Sequence, residues 1–274
     1  MAHRVDAPAK LTLRLKVVGR RYDGYHLIEA DIVALSLTDT VEIGRTDSGT
    51  RVQMFGDPPV GEATRYCVPV DSSNSVVRAL DFLGVDADVE VRKRIPFGAG
   101  LGGGSSDAAA LLRAFGYCGD PSAAIALGAD VPASLVGGHV RVGGIGDLVT
   151  PLVEHAGTYV LFVPNFSIST AAVYQAFDHL GSDGGENDLY QAACSVEPRL
   201  SGLAGELTRR FGYPMRLAGS GSTLFVEATL EDLDVEPQHL DGHIAVGTLE
   251  STVGPVVVIE CHSIPRSVSG DGRQ

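Results

Sequence analysis

The residues with the clearest chemical meaning lie in a glycine-rich run, PFGAGLGGGSSDAAA, at positions 96–110. Glycine lets the backbone turn sharply and approach a ligand closely. The five glycines of the run are Gly98, Gly100, Gly102, Gly103 and Gly104. Ser105, Ser106 and Asp107 follow, and these residue types favour the start of a helix. Because a helix start presents unpaired N–H groups and a positive dipole end, the run predicts a site for an anion such as a triphosphate.

The run differs from the two common nucleotide-binding motifs. No lysine follows the glycines, so the sequence lacks the GKS or GKT ending of a Walker A loop. The GxGxxG pattern of dinucleotide-binding proteins can be placed on Gly98, Gly100 and Gly103, but that pattern alone is a weak signal. The structural alternative is a glycine-rich connector without a ligand. A strand before the run and a helix after it favour phosphate binding.

The surrounding sequence supplies strands and helices that can position such a site. Residues 8–18 alternate between apolar and polar side chains, which is typical of a half-buried strand. Further strands are predicted at 28–37, 39–44, 88–94, 158–165, 243–250 and 255–264, with two short ones around a glycine turn within 215–229. Helices are predicted at 71–82, 108–115, 169–180 and within 187–212, and residues 127–152 are expected to mix tight turns with strands. Because strands and helices alternate without a strict βαβ rhythm, the sequence favours an α+β fold.

Length and charge narrow the class of protein. With 274 residues, the chain can hold one large domain or two of ordinary size. Its formal net charge of −13 argues against nucleic acid as the main partner, because phosphate backbones select basic surfaces. A small phosphate ligand is still compatible, since backbone N–H groups and one or two cations can hold it locally.

Cysteine spacing and the N-terminal sequence predict a cytoplasmic protein. The four cysteines, Cys67, Cys118, Cys194 and Cys261, form no CxxC pair, so reduced thiols are favoured over disulfides. The opening sequence MAHRVDAPAKLTLRLKVVG lacks the long apolar core and cleavage pattern of a secretory signal. No segment reaches the ~18 uninterrupted apolar residues of a spanning helix, so we expect no membrane partner.

Several segments, in order, resemble the GHMP kinases, a superfamily that includes galactokinase, homoserine kinase and mevalonate kinase. The run at 96–110 resembles their phosphate-binding motif. The likeness is greatest to the branch that phosphorylates a cytidine diphosphate-linked methylerythritol in non-mevalonate isoprenoid biosynthesis. The segments that carry it are PAKL at 8–11, GRR and DGYH within 19–26, LGADVP at 127–132, GIGD at 144–147, NDL at 187–189 and AGSGST at 218–223. The likeness as a whole covers residues 8 to about 226.

The resemblance implies a two-domain α+β kinase fold. Residues 1–152 would form an ATP-binding domain like ribosomal protein S5 domain 2, and residues 153–264 a ferredoxin-like domain. Residues 265–274 would be a disordered tail. ATP, Mg²⁺ and the substrate would meet between the domains, where the γ-phosphoryl group of ATP would pass to the 2-hydroxyl of the substrate.

The resemblance also implies roles for particular residues. Asp130 would be the catalytic base and Lys10 its cationic partner. Thr12 would be a substrate contact, and Tyr25 and His26 would bind the cytidine end. The ATP contacts would be Pro96, Gly98, Gly100, Leu101, Gly102, Gly103, Gly104, Ser105 and Ser106, with Ser105 or Ser106 beside the magnesium ion. The turn that closes the site would be Gly219, Ser220, Gly221, Ser222 and Thr223. The chemistry agrees, because a carboxylate can orient and deprotonate an alcohol, and an ammonium group can stabilise the transferring phosphoryl group.

Each of these residues also has a plain structural interpretation. Asp130 could form a turn or cap a helix, and Lys10 could be a solvated charge on a strand edge. Tyr25 could be a packed aromatic, His26 a turn residue, and AGSGST a tight hairpin. A separate pair, His239 and His243, could bind a metal if it lay on a helix. Gly242 between them favours a loop instead.

Three departures from the family pattern leave alternative functions open. Thr12 stands where the family usually has asparagine, the stretch between Phe115 and Leu127 is short, and Ala133 replaces a common aromatic. A hydroxyl is shorter than a carboxamide and offers a different set of hydrogen bonds. The alternatives are therefore a GHMP kinase for another small alcohol, or a nucleotide-binding relative that does no chemistry.

Overall fold

The computed structural model of the protein describes residues 3–46, 49–57 and 70–266. Within these ranges the chain forms two six-stranded sheets and six α-helices. The strands are β1 (His3–Arg20), β2 (His26–Gly44), β3 (Arg51–Gly56), β4 (Asp88–Lys93), β5 (His139–Gly144), β6 (Leu148–Pro151), β7 (Thr158–Pro164), β8 (Arg216–Leu217), β9 (Leu224–Glu227), β10 (His239–Asp241), β11 (Ile244–Leu249) and β12 (Val256–His262). The helices are α1 (Ser75–Leu83), α2 (Gly103–Ala114), α3 (Val131–Val136), α4 (Thr170–Leu180), α5 (Tyr190–Val196) and α6 (Arg199–Phe211). Cys67 and most of the predicted tail lie outside the described residues.

The first sheet is built around the long strand β2. One edge of β2 pairs antiparallel with β1 over most of its length, and the other edge pairs with β4 and then β5. The β1–β2 register shifts at three places, including Pro8/Lys10 and Thr12/Arg14. These irregularities interrupt the predicted alternation, because Lys10, Leu11 and Thr12 are all buried in succession. As a result, β1 packs into the core through Leu11 and presents Lys10 and Thr12 to the cleft described below.

The second sheet is antiparallel throughout, with the strand order β10-β11-β12-β7-β9-β8. One buried apolar cluster contains residues from both sheets, including Leu11 and Leu35 of the first and Leu161, Phe225 and Ile259 of the second. The chain also returns to the first sheet near its end, where the Ile264 N–H donates to the Ala34 carbonyl at 2.8 Å. The two sheets therefore share a core, and the predicted α+β class is confirmed.

Helix α2 carries the glycine-rich run into the core. Its residues Ala108, Ala109, Ala110, Leu111 and Leu112 are all completely buried. The helix packs against α1, α3 and β1, and its alanines let these neighbours approach closely. The loop before α2 is consequently attached to a completely buried part of the first half of the chain.

The structure differs from the sequence-based expectation at several elements. Strands β3 and β10 lie in segments where the sequence predicts no element, and α2 begins at Gly103 rather than at Ala108. Residues 28–37 and 39–44 form one continuous strand, β2, rather than two. The Ser-Leu-Thr-Asp sequence resembles a turn, but Asp39 stays in the strand because its carboxylate accepts hydrogen bonds from the backbone N–H groups of Arg94 and Ile95. In addition, residues 131–136 form α3, where turns and strands were expected. Pro132 fits the first turn of that helix because the N–H groups there need no intrahelical partner.

The lengths of the helices and the positions of two histidines bear on membrane insertion and metal binding. None of the described helices is long and apolar enough to cross a membrane. His239 lies in β10 and His243 in the turn before β11, so the two histidines do not share a helix face.

Candidate active site

Two cavities meet at the face of the first sheet. The wide cleft, about 690 Å³, runs past Tyr25, His26 and Asp178. The loop cleft, about 430 Å³, runs along the glycine-rich loop from Pro96 to Ser105. The residues that line both cavities are Lys10, Asp130, Thr170 and Ser220. A ligand in one cleft would therefore meet a ligand in the other beside Lys10 and Asp130.

The loop cleft has the geometry of an anion site. Gly98, Gly100 and Gly102 have φ angles of +66°, +79° and +70°, a region that L-residues with side chains rarely adopt. Helix α2 begins directly after them, and its N-cap residue, Gly102, has no side chain that could cap the first turn. Its first N–H groups are thus left for another acceptor, and the positive end of the helix dipole favours an anion there. Pro96 and Leu101 also line this cleft.

The glycines also allow the loop to touch its neighbours closely. A Cβ atom on Gly100 would come within 2.3 Å of the Ala218 carbonyl oxygen. A Cβ on Gly102 would come within 2.8 Å of Lys10 Cγ. The Lys10 N–H donates to the Leu101 carbonyl at 2.9 Å. The loop is therefore fitted between β1 on one side and the 218–221 turn on the other.

Lys10 and Asp130 form an ion pair at the junction of the clefts, with Nζ 3.5 Å from Oδ2. Lys10 Nζ also donates to Thr12 Oγ1 at 3.2 Å. Asp130 occupies the N-cap position of α3, yet its side chain makes no capping hydrogen bond. Its side chain is 39% exposed, whereas that of Lys10 is 10% exposed. The carboxylate is therefore accessible from the clefts, and the helix-cap interpretation does not account for its orientation.

The 218–223 segment closes the junction from the second sheet. Gly219 has a φ angle of +61°, and a Cβ atom there would lie 3.1 Å from Lys10 Nζ. Ser220 lines both clefts, and its hydroxyl lies 2.8 Å from the Thr170 hydroxyl at the start of α4. Ser222 and Thr223 are completely buried and line neither cleft. The side-chain contact of this turn with a ligand would thus come through Ser220.

Asn187 of the NDL segment holds that turn in place. Its Nδ2 donates to the carbonyl oxygens of Leu217 at 3.0 Å and Gly219 at 2.8 Å, and its Oδ1 accepts from the Leu189 N–H. The neighbouring backbone pairs with Leu15 of β1. The NDL segment consequently links the turn to the same strand that carries Lys10.

Tyr25 and His26 lie at the far end of the wide cleft. Tyr25 is 62% exposed. The His26 ring stacks on Tyr174 with centroids 4.8 Å apart, and its Nε2 lies 2.7 Å from Asp178 Oδ1. This hydrogen bond lowers the pKa of the Asp178 carboxyl, and Arg20 at 3.3 Å adds to the effect. Burial raises the pKa of Tyr174 to about 12, so this ring stays neutral beneath His26.

The two serines after the loop have different environments. The Ser106 hydroxyl is buried and donates to the Pro8 carbonyl at 2.6 Å, which ties α2 to β1. Ser105 is partly exposed and lines the loop cleft. Of the two hydroxyl groups, that of Ser105 is the one positioned to meet a ligand.

Sequence reasoning missed a buried ion cluster under the glycine loop. Lys93 Nζ lies 2.6 Å from Asp107 Oδ2 and also contacts Asp39 Oδ2. The three side chains are at most 3% exposed. Burial raises the pKa of Asp107 to about 7; the Asp39 charge acts in the same direction and Lys93 opposes them. The sequence held a signal for this cluster. Lys93 continues the alternating face of Val89 and Val91 in the strand before the loop, and that face is the buried one.

Comparison with known proteins adds an independent finding. Residues 74–138 match the family model described as the GHMP kinases N terminal domain. The 4-diphosphocytidyl-2-C-methyl-D-erythritol kinase of Thiobacillus denitrificans is 32% identical over 90% of this chain and 96% of its own. The protein of that name from Xanthomonas campestris pv. campestris is 35% identical over 89% of this chain and 88% of its own. A crystal structure of 4-(cytidine 5'-diphospho)-2C-methyl-D-erythritol kinase matches with a TM-score of 0.70 and 27% identity, covering 96% of this chain and 100% of that one.

Proposed function

Since the chain belongs to the 4-diphosphocytidyl-2-C-methyl-D-erythritol kinase family of GHMP kinases, we propose that it transfers the γ-phosphoryl group of ATP to the 2-hydroxyl of 4-diphosphocytidyl-2-C-methyl-D-erythritol. The product would serve isoprenoid precursor synthesis. The observation that supports the proposal most directly is the Lys10–Asp130 pair at the junction of the two clefts. One cleft suits the triphosphate, the other suits the acceptor, and the reacting groups meet at the pair.

Asp130 would act as the base. Its exposed carboxylate can accept the proton of an acceptor hydroxyl that lies in the wide cleft. The hydroxyl oxygen then forms a bond to the γ-phosphorus, while the bond from that phosphorus to the β–γ bridging oxygen breaks and ADP leaves. Little covalent chemistry falls to the protein in such a transfer, so positioning and charge stabilisation supply most of the rate.

Lys10 would stabilise charge at the same point. Its ammonium group lies 3.5 Å from the Asp130 carboxylate and lines both clefts. A fixed cation in this position stabilises the negative charge on the transferring group without reorganising. The hydrogen bond to Thr12 orients the ammonium group, so Thr12 would act on the acceptor partly through Lys10.

The residues at the junction also suit a magnesium ion carried by ATP. Mg²⁺ is usually held by one or two protein oxygens together with phosphates and water. Ser105 and Asp130 supply oxygens in the loop cleft. Among the described residues, no group of three or more histidine, cysteine or acidic side chains is placed to hold a metal ion by itself, so phosphate oxygens would have to complete the site. A bound Mg²⁺ would neutralise the β- and γ-phosphate oxygens.

The wide cleft would hold the cytidine end of the acceptor. Its volume of about 690 Å³ falls within the common range for small-molecule sites. Tyr25 presents an exposed ring on which a base can stack, a contact worth ~1–3 kcal/mol in nucleic-acid binders. His26 is held beside it by Asp178 and Tyr174, so its orientation is set before the acceptor arrives.

We also propose that the protein works in the cytoplasm. Cys118, Cys194 and Cys261 are all unpaired, which suits a reducing compartment.

The decisive experiment measures ADP release with Mg-ATP and each of four acceptors: the cytidyl methylerythritol substrate, homoserine, mevalonate and galactose. We expect release with the cytidyl compound, and competition by cytidine nucleotides. In Asp130→Asn, turnover should fall by about 10²–10⁴-fold, the usual contribution of a general base, while calorimetry still detects ATP binding. Asp81→Asn, on the exposed side of α1, is the matched control and should keep its activity.

The other outcomes separate the alternatives. Release with only a different alcohol would keep the kinase mechanism and discard the cytidyl substrate. ATP binding without release from any acceptor would favour a non-catalytic relative. Full turnover in Asp130→Asn would exclude Asp130 as the base.

A further inference from the structure

A buried ion cluster, the loop triad, lies under the glycine-rich loop. It consists of Lys93, Asp39 and Asp107, which come from the end of β4, the second half of β2 and the first half of α2. Their side chains are 3%, 0% and 1% exposed. Lys93 Nζ bridges the two carboxylates. Because the three residues belong to three elements that are distant in sequence, the triad joins those elements at one point.

A contribution to the stability of the folded protein does not by itself explain this buried cluster of charges. Removing charges from water is costly, and buried ion pairs replaced by well-packed uncharged residues often give equally stable proteins. Here two carboxylates share one ammonium group, so the charges balance only when one carboxyl group is protonated. Asp107 Oδ1 is buried and has no hydrogen-bond partner in the described part of the chain. The triad is therefore more costly than a simple buried pair.

The triad fixes both ends of the glycine-rich loop. Asp39 Oδ1 accepts hydrogen bonds from the N–H groups of Arg94 and Ile95, the residues that lead into the loop. Through Lys93, the same carboxylate is connected to Asp107 in α2, the helix that follows the loop. Both anchor points thus depend on Asp39 of the central strand.

The triad also borders the loop cleft. Lys93, Ile95 and Asp107 line that cleft together with the glycines. A Cβ atom on Gly103 would come within 3.3 Å of Lys93 Nζ and 3.1 Å of Ile95 Cγ2. The start of α2, where the anion-binding N–H groups lie, therefore rests directly on the triad. A displacement of the triad would move those N–H groups.

We propose that Lys93, Asp39 and Asp107 are positioning residues that hold the glycine-rich loop in its phosphate-binding shape. The inference rests on the proposed kinase function, since it assigns the triad to the use of ATP. Donors fixed in advance stabilise a phosphoryl group without reorganisation, and a misplacement of ~1 Å can cost about 10²-fold in rate. None of the three residues lines the wide cleft, whereas Lys93 and Asp107 line the loop cleft, so their effect falls on ATP and spares the acceptor.

The test measures the KM for ATP, the KM for the acceptor and the ATP dissociation constant of four proteins. They are the wild type, Lys93→Met, the triple variant Lys93→Met/Asp39→Asn/Asp107→Asn, and Arg92→Met. Lys93→Met leaves two buried carboxylates without a cation and is expected to fold poorly. The triple variant removes all three charges while keeping similar side-chain shapes, so it is expected to fold. Arg92 neighbours Lys93 on β4 but is exposed and pairs with Glu90 at the surface. It is the matched control.

We expect the KM and dissociation constant for ATP to rise by about tenfold or more in the folded triple variant, with the acceptor KM within about twofold of wild type. Arg92→Met should match the wild type. A folded triple variant with an unchanged KM for ATP would overturn the proposal. A parallel rise in both KM values would also overturn it, because that pattern indicates a general loss of structure.

The same experiment separates this proposal from the kinase function. If the wild type turns over none of the acceptors but binds ATP, the kinase function fails. The ATP dissociation constants of the variants then still decide whether the triad positions the loop. If the wild type binds no ATP, both fail together.

Discussion

Replacing Gly100 by alanine should separate the glycine-rich loop from the turn that closes the site. Gly100 has a φ angle of +79°, and its missing Cβ would lie 2.3 Å from the Ala218 carbonyl oxygen and 2.8 Å from Gly221 Cα. Backbone atoms cannot move aside as the end of a flexible side chain can. The added methyl group therefore has to push the loop and the 218–221 turn apart.

The magnitude follows from the geometry. Real Cβ contacts essentially never fall below 3.0 Å, so the 2.3 Å contact must open by about 0.7 Å. The left-handed conformation costs ~1–2 kcal/mol for a residue with a side chain, and overpacking adds ~1–3 kcal/mol. We expect Gly100→Ala to lose about 2–5 kcal/mol of unfolding free energy. Because Gly219 and Ser220 move with the turn, kcat/KM should fall by up to about 10²-fold.

A matched control separates the steric cause of these losses from the conformational cost of the left-handed backbone. Gly212, the C-cap of α6, has a φ angle of +78° and no atom within 4 Å of its missing Cβ. Gly212→Ala should lose only the conformational ~1–2 kcal/mol and keep its activity. Gly221→Ala approaches the same contact from the other side, with its Cβ 2.2 Å from the Gly100 nitrogen. It should therefore lose activity as Gly100→Ala does.

The assay combines thermal unfolding with ADP release under Mg-ATP and the cytidyl acceptor. The reasoning is refuted if folded Gly100→Ala keeps the kcat/KM of the wild type. It is also refuted if Gly212→Ala loses as much activity as Gly100→Ala, since backbone conformation alone would then explain both losses.

Three other changes test separate contacts. Lys10→Met should lower kcat by about 10²–10³-fold in a folded protein, because a preorganised charge at the transferring group is lost; an unchanged kcat would exclude that role. Asp178→Asn should raise the acceptor KM several-fold and leave the KM for ATP unchanged, because His26 loses the carboxylate that orients it; equal rises would count against it. Asp107 has a folded-state pKa raised from 3.8 to about 7, so in that pH window the folded protein binds more protons than the unfolded chain. The unfolding free energy of wild type relative to Asp107→Asn should therefore increase as pH falls from 7 towards 4, and denaturant titrations showing the reverse slope would contradict this.

The glycine-rich run shows how local sequence can predict a site. Glycines at positive φ and a helix directly after them are short-range features, because they depend on backbone sterics and on the unpaired N–H groups of a helix start. The structure has both features, but α2 begins at Gly103 rather than at Ala108, so Gly103 and Gly104 lie inside the helix. The resemblance to GHMP kinases, which the comparisons confirm, depends on segments of the same local kind. The roles of Asp130, Lys10, Tyr25 and His26 are still predictions.

Other features of the fold could not be predicted from short segments of sequence, because they depend on contacts with residues that are distant in the chain. Asp39 looks like a turn residue, yet it stays inside β2 because Lys93 and the backbone of residues 94–95 satisfy its carboxylate. Residues 131–136 form a helix that is only six residues long. Such a short helix depends on packing rather than on its own propensity.

The sequence by itself determined most of the element types, the glycine-rich loop with a helix after it, and the presence of a lysine and an aspartate of the kinds that phosphoryl transfer uses. Only the tertiary structure decided that Lys10 of β1 and Asp130 before α3 come within 3.5 Å of each other. It also decided that Lys93, Asp39 and Asp107 meet beneath the loop. The physical reason is that backbone conformation responds to near neighbours, whereas the pairing of charges depends on sheet register and core packing across the whole chain.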